Sequence, residues 1–316
     1  MKNYGKVAGL VLMSIMTFTS CSKDERESTN MNGETYSTTF KMTDAPIDNA
    51  NVEAVFVTVA DVKVDGTSLE GFNKTTLEIS SLVNGQTATL GSLDLQAGSY
   101  SNMELVLDYD TDAAGNAPGC YVATANGEKD KLSASAAKIN ISDSYEVLAT
   151  ASNEIVIDFD LRKTIKEEQG TTFSNFEFVS TSEFSNGLRI VNERATGKIS
   201  GSANDAENTS DKIVVYAYEK GSFNAEAETQ GKGESNITFT NAITSSVVSE
   251  SNNSYSLNFL SEGQYELIFV SYNQDGDQFF FNSLLEAESS IGIDLGAITI
   301  TSALQFSANV TITGTK

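Results

Sequence analysis

The feature that most constrains this chain is a two-residue alternation of apolar side chains, repeated along almost its whole length. Val55, Val57 and Val59 alternate with Phe56, Thr58 and Ala60. Val62 and Val64 then continue on the opposite parity, which predicts a β-bulge at Ala60–Asp61. Met103, Leu105, Leu107 and Tyr109 line one strand face, and Ile155, Ile157, Phe159 and Leu161 line another. Further strand-like runs fall at 213–218, 255–259, 265–272, 279–281, 297–300 and 304–312, punctuated by Gly, Asn, Asp and Ser. A period of two puts successive side chains on opposite faces, so such segments are half-buried strands. Helical periodicity is nearly absent; one short helix is expected around Arg162 to Glu168, with Lys163, Lys166, Glu167 and Glu168 on a solvated face. The expected fold class is therefore all-β, as two antiparallel β-sandwich domains of immunoglobulin-like or transthyretin-like type.

An internal echo supports two domains. Leu95-Gln-Ala-Gly98-Ser-Tyr100 recurs as Leu260-Ser-Glu-Gly263-Gln-Tyr265, and each copy leads into an alternating strand. The glycine suits a tight turn with positive φ, and the tyrosine opens the next strand with a half-buried ring. The 316 residues suffice for two cores. The expected boundary lies near Arg194-Ala-Thr-Gly197, giving domains at 37–195 and 196–316.

The N-terminus carries a different message. Lys2 and Lys6 precede an apolar run from Val7 to Phe18, too short for the ~20 residues of a membrane span. Thr19, Ser20 and Cys21 follow at once. Small residues and then Cys after such a run resemble the lipobox of bacterial lipoproteins, although Phe18 stands where Leu is usual. The resemblance implies cleavage after residue 20 and acylation of Cys21, hence a palmitate-type membrane anchor. Lys23, Asp24 and Glu25 open a charged run just past the cysteine. That run resembles the surface-export signal of Bacteroidota lipoproteins, which implies an outer-membrane protein facing the exterior. Residues 21–36 are acidic and polar and read as a tether.

Composition removes several chemistries. The chain has no His, so no Ser-His-Asp triad, Cys-His pair or imidazole zinc site can be built. With Cys21 acylated, Cys120 is the sole remaining thiol and an intramolecular disulfide is excluded. The net charge of −23 repels nucleic acid and keeps an exposed protein soluble.

Candidate sites are therefore carboxylate sites. Asp108, Asp110 and Asp112 alternate ahead of Gly115, the pattern of a weak Ca2+ loop, yet the glycine and the distant Glu128 miss EF-hand spacing. The competing expectation is an acidic strand end, with no cofactor. Asp158 and Asp160 lie two apart on one strand face, ~6.6 Å along the strand. That spacing could serve a glycosidase pair or metal ligands, against a solvent-facing or hydrogen-bonded edge. Asp44 is expected to cap a turn, and residues 273–277 to form a hairpin turn. Phe279, Phe280 and Phe281 cannot share one strand face and are expected to be buried at a domain contact.

Residues 36–195 resemble domain-of-unknown-function family 4382. The motifs that carry this are Thr43-Asp44-Ala45-Pro46, Leu82-Val-Asn-Gly85 with Leu90, Ala97-Gly98-Ser-Tyr100 leading into Met103 to Asp110, Ile157-Asp158-Phe159-Asp160, and Gly187-Leu-Arg189-Ile. The C-terminal part is similar to prealbumin-like or carboxypeptidase-regulatory-like sandwiches through its Gly263 turn. These resemblances imply a surface β-protein and no enzymatic activity. The expected function is a non-enzymatic binding or display module, attached to the membrane by its lipid, with an extracellular glycan or protein as ligand. The alternatives are a fimbrillin-like subunit and, less favoured, a carboxylate glycosidase.

Overall fold

A computed structural model describes residues 33–45, 52–124, 126–168, 175–206, 210–276 and 278–316. The signal segment, Cys21 and the export run Lys23, Asp24 and Glu25 lie outside the described residues. Thr35–Lys316 forms one compact unit, made almost wholly of strands as the alternation dictates.

The N-terminal part packs two sheets face to face. In the first, β1 (Thr35–Ala45) lies next to β3 (Ala88–Gln96) and to β5 (Ser152–Asp160), and β5 is flanked in turn by β6 (Leu188–Asn192). The second is a seven-stranded sheet organised on β2 (Val52–Val64), which pairs with β4 (Met103–Leu107) and with Tyr121–Thr124. Phe40, Met42, Ile155, Ile157 and Phe159 from the first sheet meet Val55, Val57, Val59, Leu105 and Leu107 from the second in one buried cluster. Each such side chain contributes ~1.5–3 kcal/mol when fully buried, which fixes the register of every alternating strand. The β2–β4 register shifts between Val59 and Asp61, where the phase switch placed a bulge. The extra residue returns Val62 and Val64 to the buried face, where both are almost inaccessible.

Most pairings are antiparallel, but β1 runs parallel to β5, from Ser37 opposite Ser152 to Ala45 opposite Asp160. A parallel pair needs a long crossover, and the chain between these strands supplies it while building the opposing sheet.

The C-terminal part is a single nine-stranded sheet. Its strands are β7 (Thr196–Asn204), β8 (Lys212–Glu219), β9 (Thr244–Val247), β10 (Ser254–Ser261), β11 (Gly263–Asp275), β12 (Gln278–Ser289) and β13 (Val310–Thr315), with two short additions, in the order β9-β8-β11-β12-β13-β7-β10. The sheet curls until its two end strands meet, Ser256 N–H donating to Ser246 Oγ at 3.0 Å. Val215, Ala217, Leu257, Leu260 and Phe269 fill the inside. On the outside, Tyr216, Tyr218 and Val270 are covered by Phe239 and its neighbours, so β8 is buried on both faces.

The echoed turns share one device. Tyr100 Oη donates to the Gln96 carbonyl at 2.9 Å, and Tyr265 Oη to the Ser261 carbonyl at 2.8 Å. Each tyrosine thus ties its strand back to the residue four positions earlier. Gly98 takes the positive φ expected of the turn, at 152°, while Gly263 does not.

Two expectations are corrected. The helix is only α1 (Leu161–Thr164), and the chain passes straight into a strand, Ile165–Glu168, paired with Asn175–Phe178. Lys163 is consequently half-buried against the C-terminal part rather than on a solvated face. The aromatic triplet is not buried: Phe280 is 49% and Phe281 37% exposed, while Lys212 Nζ sits 3.5 Å from the Phe279 ring centroid. The start of β12 is one arm of a hairpin with β11, closed at Asp275 opposite Gln278; Phe279 packs on the outer cluster and the Phe281 ring lies 5.8 Å from that of Phe239, while Phe280 is exposed.

Candidate functional site

Asp158 and Asp160 project from the face of β5 opposite Ile157 and Phe159, side by side as their spacing requires. Neither lies at an edge, because β5 is sandwiched between β1 and β6. They are 4% and 5% exposed and face the C-terminal part. Arg189, opposite Asp158 on β6, donates from Nη2 to Asp158 Oδ2 at 2.6 Å and from Nη1 to the Phe259 carbonyl at 2.6 Å. Arg162 opens α1 and donates from Nη2 to Asp160 Oδ2 at 2.8 Å. Its Nη1 reaches the carbonyls of Phe239 at 2.8 Å and Thr238 at 3.3 Å, and its guanidinium lies 5.1 Å from the Tyr216 ring centroid. Lys163 Nζ pairs with the same Asp160 oxygen at 3.4 Å and donates to the Ala242 carbonyl at 2.6 Å. Beside them, Val156 and Val191 pack on Phe259. The carboxylates are the fixed ends of three struts, and each base crosses to a main-chain carbonyl.

Asp44, at the end of β1, adds a third acid. Its Oδ1 accepts the Leu161 N–H at 3.2 Å, while its Oδ2, Asp158 Oδ1 and Asp160 Oδ1 are buried and have no hydrogen-bond partner among the described residues. Burial, then the charges of Asp160 and Asp158, push the Asp44 carboxyl well above the ordinary carboxylate range, against the Leu161 N–H. Burial likewise pulls the Lys163 ammonium down, opposed by Asp160. The shift is toward the neutral form; the Leu161 N–H that Asp44 accepts is 117 residues away in sequence, and the turn that it was expected to cap lies outside the described residues.

A second joint lies alongside. Ser180 and Glu183 close a capping box on α2 (Thr181–Asn186). Glu183 also accepts Ser235 N–H at 3.1 Å and Ser235 Oγ at 2.7 Å from the C-terminal part. Burial would raise its pKa, but the hydrogen bonds from Ser235 and Ser180 outweigh it and hold it down. Gly233 has φ +74°, which favours glycine, and a Cβ there would displace the Glu183 carboxylate from its place beside Ser235. Glu228 is a further buried acid, satisfied by Tyr218 Oη at 2.9 Å, Lys232 Nζ at 2.7 Å, and Asn241 N and Nδ2 at 3.0 and 2.8 Å.

The other acidic run is built differently. Asp108 Oδ2 pairs with Lys74 Nζ at 2.7 Å, and Oδ1 accepts the Asp110 and Thr111 N–H groups at 2.9 and 3.0 Å. Lys74 above all holds the Asp108 carboxyl at about 2. Asp110 reaches Lys131 at 2.7 Å, and Asp112 Oδ1 accepts Ala114 and Asn116 N–H groups at 2.9 and 2.7 Å. Each carboxylate serves its own donors. Among the described residues no group of three or more Asp, Glu, Cys or His side chains is arranged to hold a metal. Cys120 is fully buried, its thiol pushed up to about 12 by burial, so it holds no thiolate at neutral pH.

The sequence pointed to Asp158 and Asp160 but missed Arg162, Lys163, Arg189, Glu183 and Glu228. Strand parity does not mark Arg162, which lies in α1 past the end of β5. Nothing local marks Glu228, whose partners come together only in the tertiary fold.

Residues 37–175 match the family model Domain of unknown function (DUF4382). The match takes in Asp44, Asp158, Asp160, Arg162 and Lys163 and stops before Arg189. No curated protein matches the chain. Among solved structures, the Bacillus anthracis TIE protein is 12% identical over 89% of this chain, with a TM-score of 0.20, and the chain spans 34% of that protein's length. BcpA, the major pilin subunit of Bacillus cereus, is 9% identical over 89% of this chain and 71% of its own, with a TM-score of 0.20. The major pilin protein T-13 of Streptococcus pyogenes is 10% identical over 89% and 97%, with a TM-score of 0.17. Superpositions this loose transfer neither a detail of the fold nor a role.

Proposed function

We propose that this chain is a lipid-anchored, non-enzymatic display module. Acylated Cys21 holds it to the outer membrane, the run Lys23, Asp24 and Glu25 directs it to the exterior, and the β-rich body presents a surface for an extracellular ligand. The observation that carries this reading is the fate of Asp158 and Asp160. The pair best spaced for catalysis is paired with Arg189, Arg162 and Lys163 and serves to join two β assemblies. A general acid or nucleophile works from a carboxyl free to give a proton or attack, whereas each of these is held in an ion pair with its base. Protease shaving of intact cells tests display. The wild type should be cut, and a variant with Ala at 23, 24 and 25 should be protected; protection of both places the body inside the envelope and ends the surface reading.

A subunit of a surface assembly is a second reading, favoured by Phe280 and Phe281 on a β12 segment that pairs with β11 and lies beyond the reach of β13. Such an edge is a template for another strand. Sedimentation of the mature protein at high concentration should then show self-association that Phe280→Ser abolishes; a monomer throughout rules it out.

A further inference from the structure

A small cavity of about 20 Å³ lies where the ends of β1 and β5 meet β9 and β10. A single water or ion fills such a space, for which roughly 10–15 Å³ suffices. Asp44, Asp158 and Ser245 are among its wall residues and are 7%, 4% and 4% exposed. Each bears a buried side-chain oxygen with no hydrogen-bond partner among the described residues: Asp44 Oδ2, Asp158 Oδ1 and Ser245 Oγ. Buried polar atoms are matched as a rule, so three of them on the residues of one cavity point to an occupant. We propose that this cavity binds one dehydrated alkali cation, sodium or potassium.

The chemistry of the wall selects a cation. It holds two carboxylates and no Lys or Arg. The hydroxyl hydrogens beside the carboxylates are already spent, Thr43 Oγ1 donating to the Gln86 carbonyl at 2.8 Å and Ser256 Oγ to Asn258 Oδ1 at 3.1 Å. These oxygens offer lone pairs, which a hard cation takes and an anion does not. Charge then sets the valence. Asp158 is paired through Oδ2 with Arg189 at 2.6 Å, whereas Asp44 accepts the Leu161 N–H and has no basic partner among the described residues. One negative charge is left in the wall, and one positive charge compensates it. A divalent ion would add a surplus positive charge beside Arg189, and two carboxylates fall short of the three-acid set that the described residues nowhere assemble. Water satisfies the same oxygens but leaves the charge of Asp44 in place. The wall joins β1 and β5 of the N-terminal part to β9 and β10 of the C-terminal part, so an ion held there ties the two together and couples the stability of the junction to its concentration.

The test melts the mature, unlipidated protein in sodium, potassium and tetramethylammonium chloride at equal ionic strength, the last cation being too large for the cavity. Wild type should melt about 3 °C or more higher in the alkali salt that fits than in tetramethylammonium. Ser245→Ala removes a hydroxyl that has no partner to lose, and Asp44→Asn keeps the shape of its side chain without the charge; both should lose the difference between salts. Each variant is compared with itself across the three salts, so its own baseline stability does not enter. Wild-type crystals soaked in thallium(I) nitrate should show an anomalous peak in the cavity. Equal melting in the three salts, a shift that either variant retains, or a cavity without thallium overturns the site and leaves water as its occupant. None of these readouts depends on display at the cell surface, which shaving measures separately.

Discussion

Two acidic runs in this protein have nearly the same spelling and opposite fates. Asp108, Asp110 and Asp112 alternate on the way out of β4, and Asp158 and Asp160 alternate along β5. The first run leaves its strand and enters a loop, where water and nearby N–H groups solvate it; Asp110 is 85% exposed at its side chain. The second stays within a strand flanked on both sides and must be neutralised in place, by Arg189, Arg162 and Lys163. Spacing alone therefore does not determine what a carboxylate does. The number of neighbouring strands decides whether its base is met at the open surface, as Asp110 meets Lys131, or inside a closed junction, as Asp158 meets Arg189.

The largest expected effect tests that contrast directly. Asp158→Ala strands the Arg189 guanidinium and should cost about 3–5 kcal/mol, as breaking buried pairs does. Urea unfolding measures it, and a loss below about 1 kcal/mol would mean that Val156, Val191 and Phe259 hold the junction without help from charge. Next comes Asp44→Asn. Asp44 has a folded pKa above the unfolded value of about 3.9. Below that value its protonated form is favoured in both states and costs nothing; as pH rises from there toward the folded pKa, stability falls. The amide cannot ionise, so the variant should match wild type at pH 3, exceed it at pH 7 and show a flatter stability–pH curve between. Parallel curves would place Asp44 in contact with solvent. The smallest effect is Asp110→Ala, which should leave stability within about 0.5 kcal/mol. A larger loss would erase the distinction between the runs.

The sheets were legible because alternation is a local signal: the Val59–Asp61 bulge, the β11–β12 hairpin and the paired Tyr100 and Tyr265 turns all follow from neighbours in sequence, although β11 runs on to Asp275 where a turn was expected from 273. The crossing of the two parts was not. Lys163 reads as solvated because its partner Asp160 lies on its own segment, while the Ala242 carbonyl that covers it is remote. Phe280 reads as buried because hydropathy does not show which side chains of β12 the outer cluster covers. The pair Asp158 and Asp160 was visible as chemistry, but its bases were not, since Arg189 reaches it only through β5–β6 pairing.

The struts from the N-terminal part end on the main-chain oxygens of Thr238, Phe239, Ala242 and Phe259. A carbonyl is present whatever residue carries it. Substitution at those four positions leaves the acceptor intact provided the backbone keeps its path, whereas Arg162, Lys163 and Arg189 admit few replacements. At these struts the junction constrains its two sides unequally: one side must keep its side chains, the other only its course. Ser235, whose hydroxyl donates to Glu183, is a position on the C-terminal side where the joint still asks for a side chain.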